Sequence, residues 1–363
     1  MGIEEFAELA ARLMSQPAAP GHEELVQSEV RRICTENNLD PVQDRFGNFV
    51  IRLRQGGPQR LVAFSAHMDH PGFEIIRRLG PRKCLARFLG GVGDDYFRAG
   101  IPLRLMPGNV PAVLGRRVGK QRTFEVTSRS ILDRVSKFAV WELSDFVRRR
   151  GRIYGRACDD LIGVAAILAA LIDLRRNRVR CNVIGVVSRA EEVGFFGALS
   201  LAGTRELPRE ALVVSLETSR ELPPVKMGKG MIIRVGDRAS IFNSDATRYL
   251  TEVGAEASSR RKSFRWQRAL MAGGTCEATA YQEFGYQTCA VCVALGNYHN
   301  CASSLRIAEE FVDAQDACDM AYFLTEVARR AGDFDQFVGR LPARLRKLRT
   351  QAVRALRKGD AGT

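Results

Sequence analysis

The chain has four histidines in 363 residues: His22, His67, His70 and His299. His67 follows the apolar run Arg60 to Ala66 and stands two residues before Asp69. His299 follows Thr288 to Leu295. Asp159 and Asp160 stand just ahead of a strongly apolar stretch, Glu191 and Glu192 follow Cys181 to Ser188, and Glu217 closes Ala211 to Leu216. Imidazoles and carboxylates gathered in one place repel or desolvate one another unless a cation joins them, so a convergence of these residues points to divalent metal. The ligand types suit zinc, with cobalt or manganese as substitutes. Two imidazoles and three carboxylates are too many for one open catalytic zinc. Two ions sharing a bridging carboxylate would each have three protein contacts and a position left for water. Water between two cations becomes a nucleophile near neutral pH. A carboxylate that binds no metal must then take the proton and return it. The adjacent Glu191 and Glu192 offer one side chain for each task. Taken singly, each residue has a plainer reading: a polar loop for His67, a helix cap for Asp159 or Asp160, an arginine partner for Glu217. Their combination in order is what points to a metal site.

Such residues need a frame. Arg60 to Ala66, Cys181 to Ser188, Ala211 to Leu216 and Thr288 to Leu295 read as near-continuous apolar strands, the pattern of strands covered on both faces. Helical periodicity marks Ile3 to Met14, Glu24 to Asn37, Leu161 to Arg175, Cys276 to Phe284 and Glu309 to Arg330. Alternating strands and helices predict an α/β fold with a mostly parallel, helix-covered sheet. In such sheets, sites form at the carboxyl ends of the strands. From Glu74 to Tyr154 the texture changes. Short strand-like pieces alternate with Gly- and Pro-rich turns, and a helix is expected only over Val140 to Arg148. This predicts a small inserted β-rich domain over 74–154, between catalytic parts at 1–73 and 155–335. Residues 336–363 form a separate basic extension.

Bulk properties narrow the class. The hydrophobic fraction is 45% and the charged fraction 26%, ordinary for a folded domain. The longest apolar stretch is too short to span a bilayer. Acids fill the place where a signal peptide carries Lys or Arg, and Phe6 stands where a myristoylation motif wants Ser or Thr, so a cytoplasmic protein is expected. Nine cysteines lack a framework, which predicts reduced thiols, including Cys289 and Cys292 in a buried strand. The net charge is +14, and Gly339 to Lys358 carries eight Lys/Arg and no acid. Leu341, Leu345, Leu348, Ala352 and Leu356 recur there at helical spacing, so a basic amphipathic helix is expected. Packing on a partner subunit, or solvation, is the favoured reading over binding to nucleic acid or a membrane surface.

The motifs PGHEE, DRFGNFV, AHMDHPGFEI, GRACDDLIG, SRAEEVGFFGA, VVSLETS, MGKGMIIR, AGGTCEATA and GNYHN, in this order from about Pro17 to Phe323, resemble the tetrahedral (TET) aminopeptidases. These are dinuclear zinc or cobalt metallopeptidases related to other co-catalytic zinc exopeptidases. The resemblance implies that Asp159 bridges two metals and that His67 and Glu217 complete the first shell. Glu192 and His299 would complete the second, with Glu191 as general base. Asp69 would orient the His67 imidazole from behind. It further implies peptide substrates, a dimerisation role for the inserted domain, and large homo-oligomers, often of twelve subunits. Some positions depart from the pattern. His70-Pro71 replaces an acid and a small apolar residue, Leu161 an Arg, and Cys276 an Asp. Glu217 replaces the usual Asp, a change that accompanies carboxypeptidase or deacylase activity in related enzymes.

Overall fold

The computed structural model describes residues 1–119, 121–132, 136–204 and 206–359. Residues 120 and 133–135 of the inserted segment and 360–363 of the basic extension lie outside the described residues.

The centre of the fold is a set of four parallel strands, in the order Cys181–Ser188, Val62–His67, Leu212–Arg220, Gln287–Gly296. Antiparallel strands flank it, Phe49–Gln55 beside Cys181–Ser188, and Met231–Gly236 and Glu310–Asp313 beside Gln287–Gly296. All six residues of Val62–His67 are buried, as the unbroken apolar run required. Helices cover both faces. Ile3–Met14, Leu161–Arg176 and Ala314–Arg329 share one core cluster with the sheet, while Phe196–Ala202 and Glu277–Glu283 pack on the other side. Leu161–Arg176 is apolar all round because it is enclosed all round, each fully buried Leu, Ile or Val there being worth about 1.5–3 kcal/mol. Gly185 on the neighbouring strand leaves room for this helix: a Cβ there would meet Ile167 and Leu171 at 2.9 Å.

A second body is built from Gly72–Gly80, Lys83–Leu89, Pro102–Met106, Val110–Arg117, Thr123–Ser128 and Phe138–Trp141, which close into a barrel. Phe73, Phe88, Phe97, Phe124 and Trp141 fill it with rings in mutual contact.

Three local expectations are corrected. Val140 to Arg148 is not a helix: its residues fall in Phe138–Trp141 and Val147–Arg149, because Ala139 to Trp141 find partners across the barrel on Leu103 to Leu105. Val147–Arg149 and Arg152–Gly155, within the expected insert, join the large sheet through Glu310–Asp313. Glu309 to Asp313 is not helical. Glu310–Asp313 is a strand, and the helix begins at Ala314, where the Asp313 side chain accepts from the Gln315 and Asp316 amides.

The basic extension is part of one helix, Phe334–Gly359. Phe334 and Phe337 are buried in the main core. Pro342 has no N–H to offer the Val338 carbonyl, and that carbonyl accepts instead from Arg248 Nη1 at 3.0 Å. Beyond Pro342 the helix is exposed on every face through Arg357, including Leu345, Leu348 and Leu356. Among the described residues no helix is long and apolar enough to cross a membrane.

Candidate metal centre

The carboxyl ends of the four parallel strands form one rim. His67 is the last residue of its strand. Glu191 and Glu192 lie in the short turn Glu191–Val193 after Cys181–Ser188, and His299 lies in the turn Tyr298–Asn300 after Gln287–Gly296. Glu217 sits inside Leu212–Arg220, not at its end as the sequence suggested, since that strand stays paired to its neighbour as far as Arg220 and Leu295. Asp159 and Asp160 precede Leu161–Arg176 and divide two tasks. The Asp160 side chain caps the helix, accepting from the Gly163 amide at 3.0 Å, and the Asp159 carboxylate faces the rim. Gly163 is required here because a Cβ would collide with the Asp160 carboxylate.

Among the described residues three groups of possible ligands occur: His67, Asp159 and Glu217, and Asp159, Glu192 and His299, which share Asp159 and hold all five candidates, and a third of His67, Glu191 and Glu192. Within each group the ligand atoms lie within 4.8 Å of one another. Asp159 Oδ1 is 3.5 Å from His67 Nε2, and Oδ2 is 3.6 Å from His299 Nε2. His299 Nε2 is also 3.1 Å from Glu192 Oε1.

These distances and the proton positions test whether a metal fits. His67 Nδ1 faces the Asp69 carbonyl at 3.0 Å and His299 Nδ1 faces the Gly91 carbonyl at 2.8 Å, so each Nδ1 is assigned as the donor. Each Nε2 then points its lone pair at carboxylate oxygens, an arrangement that needs a cation between them. Gaps of 3.5–3.6 Å exceed an N–H···O hydrogen bond. They match the edge of a tetrahedron about a zinc-sized ion, which is about 3.4 Å for bonds of about 2.0–2.2 Å. Asp159 Oδ1 and Glu192 Oε1 are buried without a hydrogen-bond partner among the described residues. The residues present therefore fit divalent metal.

The electrostatics agree. Burial pushes the Glu217 carboxyl up to about 8, with Asp159 adding to it and His67 and Arg234 opposing. Glu191 is held well above the usual carboxylate range by burial, against His67 and with help from Glu217, Glu192 and Asp69. Burial works against ionised Asp159, but His299 and His67 outweigh it and hold the carboxyl below its ordinary value. Burial likewise opposes charge on His67, yet Asp159 and Asp69 raise it.

Asp69 acts differently from the orienting role expected. Its backbone carbonyl, not its carboxylate, holds the imidazole; the nearest carboxylate oxygen is 3.6 Å away. The carboxylate accepts from the Glu191 amide at 2.9 Å and the Glu192 amide at 3.1 Å, because two N–H donors converge on it. Sequence reasoning missed three other buried acids. Glu23 binds Arg189 and the Ala190 amide, Glu277 accepts from Ser65 and Ser188, and Glu310 accepts from the Asp159 and His299 amides. Glu310 falls in AEEF, a stretch whose pattern predicts helix, and Glu23 falls in PGHEE, where nothing local marks its partners. His70, flagged as a departure, bridges the Asp159 carbonyl and Asn300.

The cleft above these residues measures about 340 Å³, and Phe195, Arg238, Gly273, Gly274, Thr275 and Tyr298 complete its wall. Arg220 and the buried Arg234 line an adjoining recess beside Glu217. Tyr298 stacks on His299, and Arg220 lies over the Tyr298 ring.

Residues 129–311 match the family model described as M42 glutamyl aminopeptidase. Among solved structures, the fold is similar to the Pyrococcus horikoshii TET1 peptidase at 22% identity, covering 90% of this chain and 99% of that one with a TM-score of 0.74. An aminopeptidase from the archaeon Desulfurococcus kamchatkensis matches at 20% identity, 93% and 97% coverage and a TM-score of 0.74. A TET aminopeptidase from a marine sediment archaeon of the Thaumarchaeota matches at 20% identity, 92% and 99% coverage and a TM-score of 0.75.

Proposed function

The chain belongs to the M42 glutamyl aminopeptidase family of peptide-bond hydrolases, and from that premise we propose that it removes N-terminal residues from peptides at a two-metal centre. The TET resemblance carried by its motifs is borne out with the family. The observation that supports the centre most strongly is Asp159, whose two carboxylate oxygens each face a different imidazole. His67 and Glu217 would complete the first metal's shell, and Glu192 and His299 the second. Zinc is the expected ion, and cobalt or manganese would fit the same ligands. When bound, the ions supply Lewis-acid activation of the scissile carbonyl and of water.

The remaining chemistry belongs to the chain. Glu191 binds no metal in this reading. Its carboxylate takes the proton from the attacking water and returns it to the leaving nitrogen, and its raised proton affinity suits that exchange. Asp69 fixes the spacing of Glu191 and Glu192 through their amides. Arg238 lines the cleft, and Arg220 and Arg234 line its adjoining recess. They favour an acidic side chain on the residue removed, in keeping with the family's glutamyl name.

Glu217, in place of Asp, motivates a second reading as a deacylase or carboxypeptidase. A panel of anilides separates the two. Glutamyl and aspartyl anilides with a free amine should turn over fastest, leucyl more slowly, and N-acetylated forms should be spared. Preference for the N-acylated forms would overturn the aminopeptidase reading.

The P. horikoshii protein can assemble into a tetrahedron or a large octahedral shell. We take this chain to form homo-oligomers as well, with 74–154 as its dimerisation or lid domain and 1–73 with 155–335 as its catalytic domain. All nine cysteines are free thiols, in keeping with a cytoplasmic enzyme.

A further inference from the structure

The three members of the Asp159, Glu192 and His299 group lie on irregular backbone, and His299 itself has φ of 54°. A non-glycine residue in that region is uncommon and persists where its surroundings hold it. What holds it is Glu310. This side chain is fully buried, its Oε1 accepting the His299 amide at 2.8 Å and its Oε2 the Asp159 amide at 3.0 Å. The two amides belong to segments about 140 residues apart in the chain, yet one carboxylate takes both. Its own backbone is fixed, since it pairs with Gly155 on one side, and the next residue, Phe311, pairs with Gly296 on the other. Glu310 therefore ties the two donors to a rigid sheet. Its two oxygens bond main-chain amides, not the side chains that face the rim.

We propose that Glu310 is a positioning residue that sets the affinity of the Asp159, Glu192 and His299 half of the metal centre. The proposal rests on the two-metal reading. It assigns Glu310 and Asp69 the same task at opposite ends of that half, Asp69 holding the Glu192 amide and Glu310 the other two. Buried partners of this kind, one step removed from a metal, typically alter affinity tenfold to a hundredfold when lost. Replacement by alanine would leave two buried amides unpaired. Glu310→Gln keeps the shape but turns an NH2 group toward one of the amides, so one bond is replaced by a donor–donor contact.

The test uses the full-length chain and Zn2+ or Co2+ alone. Both dissociation constants are measured by chelator competition for wild type, Glu310→Gln and Glu310→Ala. Thermal midpoints are taken with and without metal. Wild type should bind two ions per subunit. In Glu310→Gln one constant should rise ten- to a hundredfold while the other changes less than threefold. The shift in midpoint on adding metal should shrink in the same variant. Unchanged constants in a folded Glu310→Gln protein would overturn the proposal. So would a midpoint lowered equally with and without metal, which marks a structural role. Equal weakening of both constants would overturn the selectivity. Only one ion on wild type would instead sink the two-metal reading itself.

Discussion

The two halves of the centre are placed by different means. His67 ends a strand and Glu217 lies within one, and these strands share a parallel ladder from Val62 opposite Leu212 to Ser65 opposite Ser215. Further along, His67 is paired with Ser188 and Glu217 with Cys292, so ladder hydrogen bonds hold the backbone that carries both side chains. Asp159, Glu192 and His299 have no ladder. Each has its amide held by a buried acid that is not itself a candidate ligand. A strand positions a ligand with bonds the fold already makes. A loop needs added acceptors, and each buried carboxylate carries a desolvation penalty that its hydrogen bonds must offset.

Asp159 belongs to both halves, so removing it should erase the distinction. Asp159→Ala is expected to lose both ions and all measurable turnover, checked by metal analysis after gel filtration. One ion retained at full affinity would show that the halves do not share this ligand. Next in size is the proton carrier, which neither half uses as a ligand. Glu191→Gln should lower turnover by about 10²- to 10⁴-fold with metal content still near two per subunit. Wild-type rates would remove Glu191 from the reaction.

The strand-borne half can be isolated by stripping the metal. Without it, the folded chain holds the Glu217 carboxyl at about 8 against an ordinary 4.5, because it is buried near Asp159. The unfolded chain then ionises first. The contribution of Glu217 to stability is greatest below pH 4.5 and declines as pH rises through about 8. Urea midpoints of metal-free protein should therefore fall between pH 5 and 8.5, and bound metal should flatten the trend. A flat metal-free profile would contradict it. The smallest effect is expected outside both halves. Deleting 343–363 should leave turnover and metal content within twofold, since the helix is exposed on every face from Ala343 through Arg357. If salt-sensitive retention on nucleic acid disappeared with that deletion, the extension would have a binding role.

The contrast also explains what could be read from the sequence. Strand ends announce themselves through apolar runs, so His67 and His299 stood out, and the acid pairs stood out by adjacency. The α/β architecture followed from the same runs. Glu310 did not stand out, because a carboxylate that binds main-chain amides from two distant segments leaves no local pattern; its neighbours even read as helix. Glu23 lies inside the PGHEE motif, yet besides the Gly21 amide its partners Arg189 and Ala190 are 166 and 167 residues away, so nothing nearby reveals what it joins. Barrel closure was hidden for a related reason. Alternation along a strand shows which side faces inward, whereas the pairing of Phe73 with Ala139 that closes the ring is a long-range match.

One contact makes the barrel more than an appendage. The acceptor for His299 Nδ1 is the Gly91 carbonyl, on the loop that leaves the barrel strand Lys83–Leu89. If the insert were excised and its ends rejoined, the imidazole would lose the group that fixes its tautomer. The proton could then move to Nε2, the nitrogen that faces Asp159 and Glu192. The barrel segment thus helps to set the proton position on a rim imidazole as well as forming a packed body of its own.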